Sequence, residues 1–451
     1  MPTGVEHYRQ EWSAAHASLP GARVGWIDRA RREALDRFCG RGFPTPRDED
    51  WKYTNVRPLE RRAFRFDPGP EGGAEGGAEP LPSARRLDGL DAAAVLVFRN
   101  GVLASSHSGT AGTVPDAVRV ESLAGMLESD PERVEPFLSG GGGHNAFSDL
   151  NRAFLAGGAF VSIGRGVQCD APVELVFESV GESDVASHPL VLVLAEADSA
   201  ATIVEHHLGA GAGTKLANPF TRIAVGERAA VEHHLLLEED ESTWHTGNVE
   251  ASVAAGGRLG SNAVQLGGRL VRYGIDVSLD GAGATVILNG LYVARGRQHV
   301  DFHTRVDHRE PGGTSEQVYK GLLDGHGRGV FNGRVLVHLD AQHSDASQSN
   351  HNLLLSPDAE IDTKPQLEIF ADDVKCSHGA TVGQLDERAV HYLRSRGLGE
   401  DTARALLTFG FADDVLARMG LPALRRHVER GLAGALPALA GLPPMDSANG
   451  I

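Results

Sequence analysis

The feature of this sequence that most limits its fold is a long central segment of short strands with no helical period between them. From Ala159 to about Gly379, apolar and polar residues alternate in short runs such as Val173–Phe177 and Ala229–Leu235, and this period of two predicts strands. A turn followed by a small residue and a strand recurs along the segment, beginning at Asp198, Gly226, Gly256, Gly281, Gly327 and Pro357. The central segment is therefore predicted to be a repeated all-β structure.

The spacing of these turns is irregular but mostly about 25 to 45 residues, which is the range of solenoid repeats. Repeats made of strands alone favour a β-solenoid over a doubly wound sheet. The composition agrees, since 6% aromatic residues and 56 glycines suit many short strands joined by tight turns better than a large helical core. A β-sandwich would also give short strands and turns, so the pattern leaves that alternative open.

Helical patterns flank the central segment. Within residues 20–40, the apolar side chains of Ile27, Ala30 and Ala34 recur at helical steps with charged residues between them. From Leu385 onward the apolar period is again helical, which predicts a C-terminal domain of about three helices. A helical cap over the open end of the solenoid is one interpretation of that domain.

These changes of pattern divide the chain into four regions. A polar Gly/Glu/Pro stretch at 67–82 and a glycine-rich stretch at 139–143 are predicted to be mobile linkers, and the tail from Pro443 is predicted to be disordered. The regions are an N-terminal helical region with its linker at 1–90, a mixed α/β connecting region at 91–158, the β-helix core at 159–384 and the C-terminal helical domain at 385–451.

The charge and cysteine content narrow the class of protein. Formal net charge is −17, from 60 acidic against 43 basic residues, whereas a nucleic-acid or anionic-membrane binder needs a basic face. The three cysteines are an odd number and lie far apart, which is not a disulfide framework and indicates a reducing compartment. No apolar run approaches the roughly 20 residues of a membrane span, and the N-terminus lacks an apolar signal core. We expect a cytoplasmic protein.

The candidate site is the run Lys375-Cys376-Ser377-His378-Gly379. If the strand pattern before it continues to His378, Cys376 and His378 face the same side of one strand. A thiolate beside an imidazole suits iron or zinc, but two ligands do not complete a metal site that requires about four ligands. The missing ligands would come from elsewhere in this chain or from a partner. Lys375 could favour the thiolate, although it points to the opposite face, and the alternative is a buried apolar Cys with a hydrogen-bonded His.

Other histidines give weaker signals. The adjacent pairs at 206–207 and 233–234 lie on predicted strands, where neighbours face opposite sides, so neither pair is expected to chelate one ion. We expect these side chains to be hydrogen-bonded or to face solvent. His299, His303 and His308 include a four-residue step, but their surroundings indicate a strand, which removes a helical metal-binding face.

The sequence offers no catalytic signature. Gly209–Lys215 resembles a phosphate-binding loop, yet it lacks the Gly-Lys-Ser/Thr order and is followed by strands instead of a helix. No Gly-x-Ser-x-Gly elbow is present. We therefore expect no ATP binding, no catalytic residue and no cofactor-binding motif, and we predict that the chain is not an enzyme.

Two stretches carry a resemblance to a known family. The run NLLLSPDAEIDTKPQLEIFADDVKCSHGATVG at 352–383, continued by YLRSRGL at 392–398, resembles the C-terminal signature of SufD proteins in the SufB/SufD family. An E-x-W-K-Y-T segment at 49–54 resembles their N-terminal region, where we interpret the Trp and Tyr as a packing anchor without chemistry. The resemblance implies a right-handed parallel β-helix core.

The same resemblance implies a function. SufD is a non-ATPase subunit of the SUF iron–sulfur cluster assembly complex, with its paralogue SufB and the ATPase SufC. Cys376 and His378 match SufD positions at the SufB interface, and the C-terminal helical domain matches the region that docks SufC. An iron–sulfur cluster or its precursors would be held transiently and shared with SufB. Flavin binding in the complex and a homodimer of the isolated chain are left open.

Two other functions compete with the scaffold role. A SufB-type scaffold that carries a cluster itself would need more thiols than this chain has. A carbohydrate-active β-helix enzyme would need paired carboxylates or a calcium-holding Asp cluster, together with a secretion signal. The predicted strands show no such cluster of acids, so a scaffold role is preferred.

Overall fold

The computed structural model describes residues 4–66, 86–108, 114–138 and 145–436. The predicted linkers at 67–82 and 139–143 and the predicted disordered tail from Pro443 lie outside the described residues.

Helices occupy both flanks of the described chain. The α-helices are α1 Val5–Ala15, α2 Gly25–Arg41, α3 Arg57–Glu60, α4 Leu123–Ser129, α5 Pro131–Leu138, α6 Ala146–Ala153, α7 Glu387–Ser395, α8 Glu400–Leu416 and α9 Pro422–Ala435. Two short 3₁₀ helices span His16–Ser18 and Glu49–Trp51. None of the helices in the described part of the chain is long and apolar enough to cross a membrane.

Strands fill the region between the helices. The first half comprises β1 Arg65–Phe66, β2 Ala94–Arg99, β3 Val102–Ser108, β4 Val118–Ser122, β5 Gly158–Ile163, β6 Val173–Val180, β7 Val185–Ser187, β8 Leu190–Ala195, β9 Ala200–Ala210, β10 Lys215–Ala217 and β11 Phe220–Val225. The second half comprises β12 Ala230–Glu238, β13 Thr243–Val253, β14 Arg258–Gln265, β15 Leu270–Leu279, β16 Thr285–Ala294, β17 His299–His308, β18 Thr314–Leu323, β19 Arg328–Val337, β20 Asp345–Leu354, β21 Glu360–Ile369 and β22 Lys375–Gly383.

Successive strands of the core alternate between two parallel sheets. Sheet A runs β21-β19-β17-β15-β13-β11-β8-β5-β4, and sheet B runs β22-β20-β18-β16-β14-β12-β9-β6-β2-β3. Leu270 pairs with His299, and His299 pairs with Arg328, so one turn takes about 30 residues. The predicted β-solenoid is confirmed, with about eight turns, and the sandwich alternative is wrong because its strands would pair antiparallel.

The solenoid interior is filled by alternate residues of both sheets. At its centre, the ring of Phe302 lies 5.2 Å from that of Tyr273, 5.3 Å from that of Tyr292 and 6.2 Å from that of Tyr319, measured between centroids. All four rings are buried. The corners use left-handed backbone where the repeated turns were predicted, as at Gly256 with φ 63°, a conformation that glycine adopts without a steric penalty.

The C-terminal helices pack against the outer face of sheet B. Phe409, Leu424 and Val428 share one buried apolar cluster with Leu291 and Leu322 of that face. Since these helices cover the flank of the solenoid, the interpretation of the domain as a cap over its open end does not describe this packing. Both faces of sheet B are therefore buried along these turns.

Polar contacts fix the helices in place on sheet B. Lys320 Nζ lies 2.8 Å from Asp414 and 3.0 Å from the carbonyl oxygen of Phe411. Nearby, Glu238 Oε2 lies 2.9 Å from His206 Nε2 on β9 and 2.8 Å from His427 Nε2 on α9. Glu238 thus bridges the solenoid to the last helix.

Replacing Glu238 with glutamine is expected to lower the free energy that holds α9 on sheet B by about 2 kcal/mol, because hydrogen bonds to a charged group are lost. Burial would raise the pKa of Glu238, but His206 and His427 outweigh it and lower the pKa from 4.5 to about 2. The carboxylate therefore stabilises docking above pH 4.5, and this contribution is lost as the pH falls towards 2. Hydrogen exchange of the α9 amides measures the effect. Glu400→Gln, which removes only exposed contacts, should change little.

The E-x-W-K-Y-T segment docks on the outer face of sheet A. Trp51 is buried, its ring lies 5.3 Å from that of Phe147, and the guanidinium of Arg272 lies 5.0 Å from its centroid. The interpretation of this segment as a packing anchor is confirmed for Trp51 and is wrong for Tyr53, whose side chain is exposed. The partners of Trp51 include a solenoid strand as well as a helix.

Candidate functional site

The solenoid ends in two open edge strands. β22 pairs only with β20, and β21 pairs only with β19, so neither strand has a neighbour on its outer side among the described residues. At the opposite end, the antiparallel strands β3 and β4 terminate the sheets. Unpaired backbone N–H and C=O groups on an edge are a template for pairing with another chain.

Exposure at this end is unusual for the solenoid. Most residues of β22 are exposed and those of β21 are half-buried, whereas the preceding turns are largely buried. Ile369 and Phe370 at the end of β21, and Val382 on β22, are exposed large apolar side chains. The open end therefore presents apolar surface next to unpaired strand edges, which is typical of an interaction surface.

Cys376 and His378 both lie on β22, as predicted. In register, Cys376 is opposite Ala346 of β20 and His378 is opposite Gln348. Two residues apart on one strand, they project from the same face. Cys376 is half-buried against Val335 and other members of a small apolar cluster, whereas His378 is exposed. The sulfur is therefore positioned by packing, and the imidazole is accessible from outside.

The surroundings of Cys376 disfavour its thiolate form. Burial, with a smaller contribution from the carboxylate of Asp345, raises the pKa of Cys376 above its usual value. The exposed Lys375 does not reverse this shift, as its place on the opposite strand face predicts. A metal ion that binds this sulfur must displace the proton. Cys376 is thus a latent ligand, in contrast to a constitutive thiolate.

A column of polar side chains runs through the interior towards this end. Gln317 Oε1 accepts hydrogen bonds from Thr304 Oγ1 at 2.6 Å and from Gln348 Nε2 at 3.2 Å. Gln348 Oε1 is buried and has no hydrogen-bond partner among the residues that the structure describes. The last acceptor of the column therefore lies on the residue that is in register with His378.

The remaining cysteines and the three spaced histidines do not join this site. Cys39 packs in the N-terminal cluster and Cys169 in the main core. His303 lies beside Asp301 on the outer face of sheet A, whereas His308 is bonded to Ser315 in the interior.

Sequence reasoning missed two groups of potential metal ligands. Among the described residues, donor atoms lie within 4.8 Å of one another in two groups, and neither contains Cys376 or His378. The first is His206, Glu238 and His427, and the second is His207, Glu239 and His245. The adjacent histidines do separate onto opposite faces, as predicted. All four side chains of the two pairs are buried, so none faces solvent, and the hydrogen-bonded alternative holds for His206 and His233. The adjacent acids Glu238 and Glu239 at the end of β12 were the sequence signal that could have indicated these two groups.

Two known protein-family domains match this chain. The family described as SUF system FeS cluster assembly, SufBD core domain, matches residues 177–411, and the SufBD protein N-terminal region matches residues 4–175. The core match covers more than half of the chain and includes both edge strands, so the open end of the solenoid lies within the family domain.

Relatives from several organisms agree with this assignment. An iron–sulfur cluster assembly SufBD family protein of Synechocystis is 30% identical over 427 residues, which are 92% of this chain and 92% of the relative. The protein SufD of Escherichia coli is 28% identical over 411 residues, 90% of this chain and 92% of the relative. SufD of Bacillus subtilis is 29% identical over 286 residues, 62% of this chain and 64% of the relative. The chain belongs to the SufBD family of SUF-system iron–sulfur cluster assembly proteins.

Proposed function

We propose that this chain is a non-ATPase scaffold subunit of a SUF assembly complex, which pairs with a SufB-type paralogue through its open edge strands. The observation that carries the proposal is the edge strand β22, whose outer side has no neighbour among the described residues and which carries a latent thiol and an accessible imidazole on one face. Two donors do not fill a coordination sphere that wants about four. A partner strand added beside β22 would bring the remaining donors to Cys376 and His378.

Iron and sulfide are cargo in this proposal. Thiolate and imidazole donors suit iron and its sulfide clusters, and binding at Cys376 requires loss of the thiol proton. The chain has too few thiols for a SufB-type scaffold that holds a cluster alone, and its similarity to proteins named SufD supports the partner role. Family membership gives no support to the carbohydrate-active alternative.

We further propose that the C-terminal helices dock a SufC-type ATPase, as the family resemblance implies. In α7 only Val390 is buried, and Tyr392 is exposed, so this helix offers surface that its own chain does not use. α8 and α9 are anchored on sheet B through Lys320 and Glu238. A movement of the bound ATPase would then be transmitted through α8 and α9 to the solenoid. This chain would need no catalytic residue of its own.

Replacing His378 with alanine is expected to lower the iron and acid-labile sulfide of the co-expressed complex by on the order of 10-fold, by analogy with the loss of groups that tune a metal site. Folding should be unchanged, because His378 is exposed. Cys376→Ser should act in the same direction. Metal and sulfide analysis after pull-down with SufB-type and SufC-type partners measures the effect.

The matched control is His326→Ala, since His326 is an exposed histidine in a corner between β18 and β19. It should leave iron and sulfide at the wild-type level. Wild-type iron and sulfide in an intact complex carrying His378→Ala would refute the assignment of the site.

A further inference from the structure

Five ionisable side chains form a buried cluster inside the solenoid, away from the open end. They are Glu205 and His207 on β9, His233 on β12, Glu239 directly after β12 and His245 on β13, and each is at most 3% exposed. Glu205 of sheet B accepts a hydrogen bond from Thr221 of sheet A, so the cluster spans the interior between the sheets. Buried charges and imidazoles at this density require compensation by partners or a metal ion.

Three members of the cluster leave donor atoms without partners. His207 Nε2, Glu239 Oε2 and His245 Nε2 are buried and have no partner within hydrogen-bond distance among the described residues. The same three residues offer one ligand atom each within 4.8 Å of one another. A buried polar atom left without a partner costs about 1–3 kcal/mol, so three such atoms in one cluster of potential ligands indicate a missing component.

Neighbouring contacts determine whether these atoms are hydrogen-bond donors or acceptors. His245 Nδ1 lies 2.6 Å from Glu239 Oε1, and the hydrogen between them leaves a lone pair on His245 Nε2. Glu239 Oε2 is also an acceptor. Both acceptors lie in the buried cluster without a donor among the described residues, so a cation or a bound water is needed to compensate them.

The surroundings hold the histidines in place. The ring of Phe177 stacks on His207 with centroids 4.9 Å apart, and Glu205 Oε2 lies 3.6 Å from His207 Nε2. A Cβ at position 247 would lie 2.4 Å from His245 Nε2, so Gly247 leaves the room that this ring needs. Ligands supported by a second layer of contacts are characteristic of metal sites.

We propose that His207, Glu239 and His245 bind one divalent first-row transition-metal ion, Zn²⁺ or Fe²⁺, inside the solenoid. Two imidazoles and one carboxylate are a donor set used by both ions. The ion would tie β9 to the junction of β12 and β13. The site is separate from Cys376 and His378 and does not depend on the proposed scaffold role.

The test uses the full chain, unfolded in chelator and refolded with Zn²⁺, with Fe²⁺ under anaerobic conditions, or with Co²⁺ as a spectroscopic probe. We expect one equivalent of metal and a Co²⁺ spectrum without thiolate charge-transfer bands, because no cysteine is a ligand. Glu239→Gln and His207→Gln should each weaken binding by on the order of 100-fold or more. The Zn²⁺ and Fe²⁺ arms decide which ion is held more tightly.

His234→Gln is the matched control, since His234 is as buried as the triad histidines and lies on β12 outside the group. It should bind metal like the wild type. Metal analysis of the wild type does not depend on any variant folding. Wild-type chain that retains no metal would overturn the proposal and leave a bound water as the compensation. Binding that survives Glu239→Gln but is lost in Glu238→Gln would overturn it in favour of the outer group, and a thiolate band would place the metal at a cysteine.

Discussion

Replacing Phe370 with glutamate is expected to weaken pairing with a SufB-type partner by at least about 30-fold, while the isolated chain folds normally. Phe370 follows the edge strand β21 and is 60% exposed, so it contributes little to the stability of this chain. Loss of an aromatic anchor from an interface costs about 2 kcal/mol or more, and 1.4 kcal/mol is tenfold in affinity. Titration of the partner with the purified chain measures the change.

The control for this substitution is Tyr392→Glu. Tyr392 is an aromatic side chain with nearly the same exposure, 57%, but it lies on α7. It should reduce binding of a SufC-type ATPase and leave strand pairing unchanged, whereas Phe370→Glu should show the reverse. If Phe370→Glu left pairing at the wild-type level, the partner would have to bind elsewhere than at the open end.

The open end could be predicted because its signals are local. Alternation along 366–370 and the spacing of Cys376 and His378 are properties of consecutive residues, and they indicate one strand with both donors on one face. The structure adds that this strand is the last of its sheet. It also adds the raised pKa of the thiol, which depends on packing against residues of β19 and β20.

The interior group of potential metal ligands, His207, Glu239 and His245, could not be predicted in the same way. A period of two assigns His206 and His207 to opposite faces, but both faces of sheet B are buried, one by the interior and one by the C-terminal helices. Polarity therefore does not identify the inward residue. The turns also differ in length, so the register that places His207 opposite Leu237, and hence near Glu239, cannot be counted along the sequence.

Replacing Asp301 with asparagine is expected to lower the free energy of unfolding by about 3–5 kcal/mol, the cost of removing one member of a buried ion pair. Asp301 is 1% exposed on the outer face of sheet A, 3.3 Å from Arg272 Nε and 2.9 Å from His303 Nε2. It also accepts a hydrogen bond from Thr54, whose hydroxyl lies 2.8 Å from His299 Nε2. The carboxylate thus holds the N-terminal segment on the solenoid from 247 residues away in sequence.

The contribution of Asp301 should also depend on pH. Burial would raise its pKa, but Arg272 and His303 outweigh burial and lower it below the ordinary value of 3.8. The ion pair therefore stabilises the fold above about pH 4, and its contribution declines as the pH falls further. Denaturant unfolding of wild type and Asp301→Asn across this range should show two stabilities that converge in acid.

Glu316→Gln provides the comparison. Glu316 and Arg418 also join distant segments, but both side chains are more than one-third exposed, so this pair should contribute at most about 1 kcal/mol. Trp51 offers a second readout, since its fluorescence reports docking of the N-terminal segment over Arg272. If Asp301→Asn were no more costly than Glu316→Gln, the N-terminal segment would be held by the burial of Trp51 and its apolar neighbours, and the ion pair would only orient it.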